Sequence, residues 1–338
     1  MNPNDITSTP SLKEAFSEHF LIGAAVNPRT IIHQKELLAH HYNSLTAENE
    51  MKFESVHPSE DTYTFEAADQ IVSYAREHRM KLRGHTLVWH NQTTDWLFED
   101  NRGGLCSKEL LYSRLQSHID TVVKRYKNDI YAWDVVNEAI SDHEDEWLRP
   151  SKWLTIAGAE FIAKAFEFAH AADPDALLFY NDYNESNPVK RDKIYKLVRT
   201  LLDQGAPIHG VGLQAHWNLY DPSLKEIREA IEKYASLGVQ LQLTELDVSM
   251  FKFDDRRTDL LAPTEEMLEL QAQRYESIFG LLREYKDVIS SVTFWGAADD
   301  YTWLNDFPVR GRKNWPFLFD EQHQPKPAYY SVMNRSLT

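Results

Sequence analysis

The chain has 338 residues, 42% hydrophobic and 26% charged, a globular mix long enough for two ordinary domains or one large α/β barrel. Its 52 acidic residues outweigh 36 basic ones, and the net charge of −16 argues against DNA, RNA and anionic membranes as partners. The single cysteine, Cys106, excludes an intramolecular disulfide and a zinc site built on several thiolates.

The first 20 residues carry neither a basic segment nor an apolar run of the signal-peptide kind, and no later segment is apolar for long enough to span a bilayer. The expectation is a cytoplasmic protein. Eight β-rich runs follow, at 20–26, 43–47, 81–88, 130–136, 176–182, 208–214, 239–246 and 289–296. Amphipathic stretches lie between them. Those beginning at Lys108, Ala159 and Leu224 space apolar residues by three and four, and Pro174 and Gly238 close the last two. Strands joined by helical crossovers, with no linker or composition break, predict one parallel sheet. Eight such units in this length predict an α/β fold, a single (β/α)8 TIM barrel. A doubly wound sheet would usually carry a glycine-rich first turn, and "GAAVNPRT" at Gly23 is not one.

In a barrel the active site lies at the C-terminal strand ends. Those ends hold Glu48, Asn49 and Lys52; His85, Trp89 and His90; Asn137 and Glu138; Asn181, Tyr183 and Asn184; Gln214, His216 and Trp217; Glu245 and Asp247; Trp295 and Trp303. A lone glutamate after a strand is commonly a helix N-terminal charge. Two of them facing across a barrel mouth are harder to explain that way. His85, His90 and His216 lack the spacing of a metal motif, so no metal or other cofactor is expected, and they are read as hydrogen-bonding partners of a carboxylate or of sugar hydroxyls. Trp89, Trp295 and Trp303 follow their apolar runs rather than lying within them, as walls of a cleft would; flat rings stack well on sugar faces.

With these residues assembled, the chain resembles the glycoside hydrolase family 10 xylanases, endo-1,4-β-xylanases with a (β/α)8 barrel. The matching stretches are "NSLTAENEMKFE", "RGHTLVWH", "WDVVNEA", "YNDYN", "GVGLQAHW", "TELDV" and "FWGAADDYTWL". The resemblance implies one barrel domain over residues 1–338, with a core of about 15–335 and no accessory module. It implies that Glu138 is the general acid/base and Glu245 the nucleophile. Glu48, Asn49, Lys52, His85, Trp89, Asn137, Tyr183, Gln214 and His216 would hold the sugars near the cleavage point. Trp295 and Trp303 would wall in the reacting sugar, and Asp247 would tune His216. The implied partners are xylan-derived oligosaccharides. A related retaining β-1,4-glycanase is the alternative reading.

Retaining hydrolysis needs two carboxyl groups roughly 5–5.5 Å apart, one ionised to attack and one protonated to donate. Two identical side chains must then titrate differently, and proximity supplies part of that split.

Overall fold

The computed structural model describes residues 8–334. Its strands are β1 (Leu21–Val26), β2 (Ser44–Ala47), β3 (Lys81–Val88), β4 (Ile130–Asn137), β5 (Leu177–Asp182), β6 (Gly210–Leu213), β7 (His216–Asn218), β8 (Gln240–Ser249) and β9 (Ile289–Phe294). Every pairing is parallel. Neighbours run β6-β5-β4-β3-β2-β1-β9-β8, and β8 returns to pair with β6, so eight strands close a barrel without free edges.

Helices cover the outside. The helix Lys108–Arg125 begins at Ser107, whose hydroxyl accepts from the Leu110 amide, and buries Leu111, Leu115, Ile119 and Val122 on one stripe. The helix Leu224–Ala235 opens with a reciprocal Ser223–Glu226 capping box, and Gly238 leaves it with φ 74°.

Two details differ from the sequence expectation. The run at 208–214 is shorter, and β7 follows as a separate three-residue strand. Ala215 stands between them with φ 58°, which stops β6 and redirects the chain. β7 then pairs His216, Trp217 and Asn218 with Asp247, Val248 and Ser249, which carries β8 on to Ser249. Glu245 therefore lies inside a strand, beside a register shift between Leu243 and Leu246.

The barrel strands also bury polar side chains. Arg83, Asp134, Asn181, Gln242 and Thr244 are sealed from solvent. Arg83 pairs with Asp134 through both terminal guanidinium nitrogens, at 3.0 and 2.7 Å, and its Nε donates to Gln242 Oε1. Gly212 is needed for space: a β-carbon there would stand 2.3 Å from Asn181 Oδ1. Among the described residues, no helix is long and apolar enough to cross a membrane, and no group of three or more His, Cys, Asp or Glu could hold a metal ion.

Candidate active site

Glu138 follows the last residue of β4 and adopts φ 57°, left-handed backbone that a side chain with a β-carbon rarely takes. Its amide donates to Asn181 O at 2.9 Å. Its carboxyl is almost wholly buried; Oε2 accepts from Trp89 Nε1 at 2.8 Å and Oε1 from Gln214 Nε2 at 2.9 Å. Burial pushes its pKa above the ordinary glutamate value, and the negative Asp182 adds to the rise; the two hydrogen bonds oppose it, and Glu245 pushes it further up.

Glu245 is displaced the other way. Burial disfavours its ionised form, but the field of His85 and the hydrogen bond and charge of His216 outweigh that penalty and hold its pKa below the ordinary value. Oε1 accepts from Asn181 Nδ2 at 2.8 Å, and Oε2 faces His216 Nε2 at 3.0 Å.

Amides join the two carboxyls. Gln214 Nε2 also reaches Asn137 Oδ1 at 3.2 Å, and Asn181 Nδ2 reaches the same oxygen at 2.9 Å. The Thr244 hydroxyl donates to Asn181 Oδ1 at 2.6 Å, which fixes which way that amide points. Asn137 Oδ1 thus takes two donors.

Two histidines flank Glu245. His216 bridges Glu245 and Asp247 Oδ2, each at 3.0 Å. Burial would lower its pKa, yet Asp247 and Glu245 overcome this and push it up to about 10, so both ring nitrogens donate at neutral pH. Trp303 Nε1 donates to the same Asp247 oxygen at 2.9 Å, locking tryptophan and histidine to one carboxylate. His85 Nε2 lies 3.8 Å from Glu245 Oε1, and its Nδ1 meets Asp134 Oδ2 at 2.9 Å. Asp134 resists ionisation by burial, but Arg83 overcomes this and brings its pKa down to about 2. A buried Arg83–Asp134–His85 file thus ends against Glu245.

Other sequence-predicted residues gather around this centre, whereas Trp217 turns its Nε1 to Glu185 Oε1 at 2.9 Å. Lys52 Nζ donates to Asn49 Oδ1 and Gln92 Oε1, at 2.8 and 2.9 Å, and sits 4.9 Å over the Trp89 ring. Burial depresses its pKa while Glu245, Glu48, Glu138 and Glu50 act against that, which places its charge among four carboxyls. Glu48 is buried and held by Tyr301 and Asn27; burial raises its pKa against those bonds. Trp295 is buried edge-on to His85, with ring centres 5.3 Å apart, and Trp303 is half-buried against His216. Asn49, Trp89, Tyr183 and His216 are half-buried as well. The Tyr183 hydroxyl is engaged by Arg149 and Asp142 rather than left free.

Several participants escaped the site reading. Asn181 stood at a strand end, but its partners converge only when β4, β5 and β8 meet. Arg83 and Asp134 lie mid-strand, where nothing in the local sequence names a partner. Gln92, Tyr301 and Asn27 come from loops distant in sequence.

A family model described as "Glycosyl hydrolase family 10" matches residues 11–335. The chain is 61% identical over 329 residues to endo-1,4-beta-xylanase B of Paenibacillus barcinonensis, covering 97% of this chain and 99% of that one. It is 60% identical to an endo-1,4-beta-xylanase of Geobacillus stearothermophilus, again covering 97% and 99%. A crystal structure of a xylanase from Paenibacillus barcinonensis, complexed with a conduramine derivative, matches with a TM-score of 0.96 at 61% identity, covering 97% of this chain and 99% of that one. A mutant solved in complex with xylotriose matches with a TM-score of 0.94 at 53% identity, covering 96% and 100%.

Proposed function

The chain belongs to glycosyl hydrolase family 10 and is a retaining endo-1,4-β-xylanase, and on that premise we propose how its cleft divides the reaction among its residues. Glu245 attacks the anomeric carbon as a carboxylate, and Glu138 gives its proton to the departing glycosidic oxygen. A covalent glycosyl–Glu245 ester forms and the leaving sugar diffuses away. Esterification removes the charge of Glu245, so the pKa of Glu138 falls, and Glu138 takes a proton from the incoming water. That water attacks the same carbon, the ester breaks, and both glutamates return to their starting states with the product configuration retained.

The observation that supports this division is the opposite displacement of two buried glutamates, Glu245 downward and Glu138 upward, within one hydrogen-bonded network. Asn137 has its oxygen committed to two donors, which suits its amide nitrogen to the 2-hydroxyl of the reacting sugar. Lys52, Asn49, Glu48, His85, Gln214 and His216 supply further polar contacts. Trp89, Trp295 and Trp303 form walls that tolerate a xylose but clash with the extra hydroxymethyl group of a glucose. The test is Glu245→Ala. Hydrolysis is expected to vanish, and azide, entering the space left by the carboxylate, is expected to restore turnover with an inverted glycosyl azide. Near parental activity without azide would overturn the assignment.

The finer reading is that the enzyme works in the cytoplasm on short xylo-oligosaccharides. The net charge of −16 supports it, since it offers no attraction to a uronate-bearing polymer. Fractionation of native cells decides the location: activity recovered outside the cells would remove this reading.

A further inference from the structure

We propose that Arg149 is a positioning residue for the acid/base, clamping the backbone of Glu138 in its left-handed conformation. The inference rests on Glu138 being the acid/base and goes beyond it by naming what holds that carboxyl in place.

The argument starts from the backbone. A residue with a β-carbon relaxes away from φ 57° unless its surroundings hold it there. At Glu138 the amide is tied to Asn181 O, which fixes one side of the residue. The carbonyl is the other side, and its oxygen accepts from Arg149 Nε at 2.9 Å. The Arg149 amide also donates to Ala139 O at 2.8 Å, so backbone and side chain of one residue grip two successive carbonyls. Rotation of the Glu138 peptide would break the guanidinium bond and swing the carboxyl away from Trp89 and Gln214.

The guanidinium is itself fixed. Its Nη2 donates to the hydroxyl oxygen of Tyr183, 2.8 Å away, and to Asp142 Oδ2 at 3.1 Å. Asp142 also accepts from the buried Lys190 at 2.8 Å and from the Tyr183 hydroxyl. Lys190 lies 3.5 Å over the Tyr183 ring. Arg149 is therefore held in a planar fork by two anchors on one side and spends its Nε on the carbonyl of Glu138. A lysine could not make all three contacts from one ammonium group in that geometry.

Loss of a clamp that acts through Glu138 must impair proton donation, and proton donation matters in proportion to how poor the leaving group is. The test measures kcat/KM, which reads the first chemical step, on phenyl and dinitrophenyl xylobiosides. Glu138→Ala serves as the reference. For Arg149→Met, which keeps the side-chain stem and removes the donors, the phenyl substrate is expected to lose roughly 10- to 100-fold, within the range of general-acid catalysis. The dinitrophenyl substrate, which needs little protonation, is expected to lose less than about threefold. Arg149→Lys is expected to show the same grading more weakly, and it decides the matter if the methionine variant does not fold. Equal loss on both substrates, or loss on neither, overturns the clamp. If Glu138→Ala itself shows no grading, the acid/base reading falls and takes the clamp with it; if Glu138→Ala grades and the Arg149 variants do not, the clamp alone falls.

Discussion

At the scale of single residues, the cleft works by giving two chemically identical side chains different surroundings. Trp89 illustrates how finely this is set. Its Nε1–H donates to Glu138 Oε2 and favours the ionised form, against the burial that disfavours it. Trp89→Phe keeps a ring in the wall and deletes that donor, so the pKa of Glu138 should rise further. In the proposed division Glu138 must be protonated for the first step, so activity is lost as pH climbs through its pKa; Glu245 must be ionised, so activity is lost as pH falls through its own. The alkaline limb of the kcat/KM profile is therefore expected to move up, while the acid limb stays in place. An alkaline limb that stays put or moves down would contradict the role given to this bond.

At the scale of elements, strand ends deliver the chemistry and small residues make the space for it. β6 contributes Gly212, and a methyl group there would press on Asn181 Oδ1 and stand 2.9 Å from Thr244 Cγ2. Gly212→Ala is expected to cost about 1–3 kcal/mol of stability in denaturant titrations, as overpacking does. It should also lower kcat in the folded fraction, because Asn181 holds Glu245. Unchanged stability together with unchanged kcat would mean that the neighbourhood yields freely. The alternation of strand and helix was readable from the β-rich runs and the three-and-four spacing, and the main clusters of polar residues were readable from the strand ends. β7 was not, because three residues carry no periodicity and their pairing depends on an extension of β8. Asn181 and the Arg83–Asp134 pair were not singled out for a related reason. Their meaning lies in partners 44 to 64 residues away, at Asn137 and Glu245, and 51 residues away, between Arg83 and Asp134.

At the scale of the whole molecule, the acidic surface bears on which substrates approach. A net charge of −16 repels an anionic polymer over a Debye length of about 8 Å at physiological salt and leaves neutral oligosaccharides untouched. Raising the salt is therefore expected to lower KM on glucuronate-bearing xylan and to leave kcat/KM on xylotriose through xylohexaose unchanged. Parallel salt responses on charged and neutral substrates would remove electrostatics from the account of substrate choice.

The oxygen of Asn137 has a further consequence. It sits between two amide nitrogens, each of which also touches one glutamate, so the hydrogen-bonded path from Glu138 to Glu245 runs through side-chain amides, none of which titrates. The link is rigid, yet it is electrically neutral. Each carboxyl feels the other's field through space, but the link itself adds no charge and no titrating group between the proposed donor and the proposed attacker. Asn137→Asp would put a titrating oxygen into the middle of that link. The added negative charge disfavours ionisation of both glutamates, so the two limbs of the pH profile are expected to shift upward together; limbs that stayed in place would show that this position does not act electrostatically on the two carboxyls.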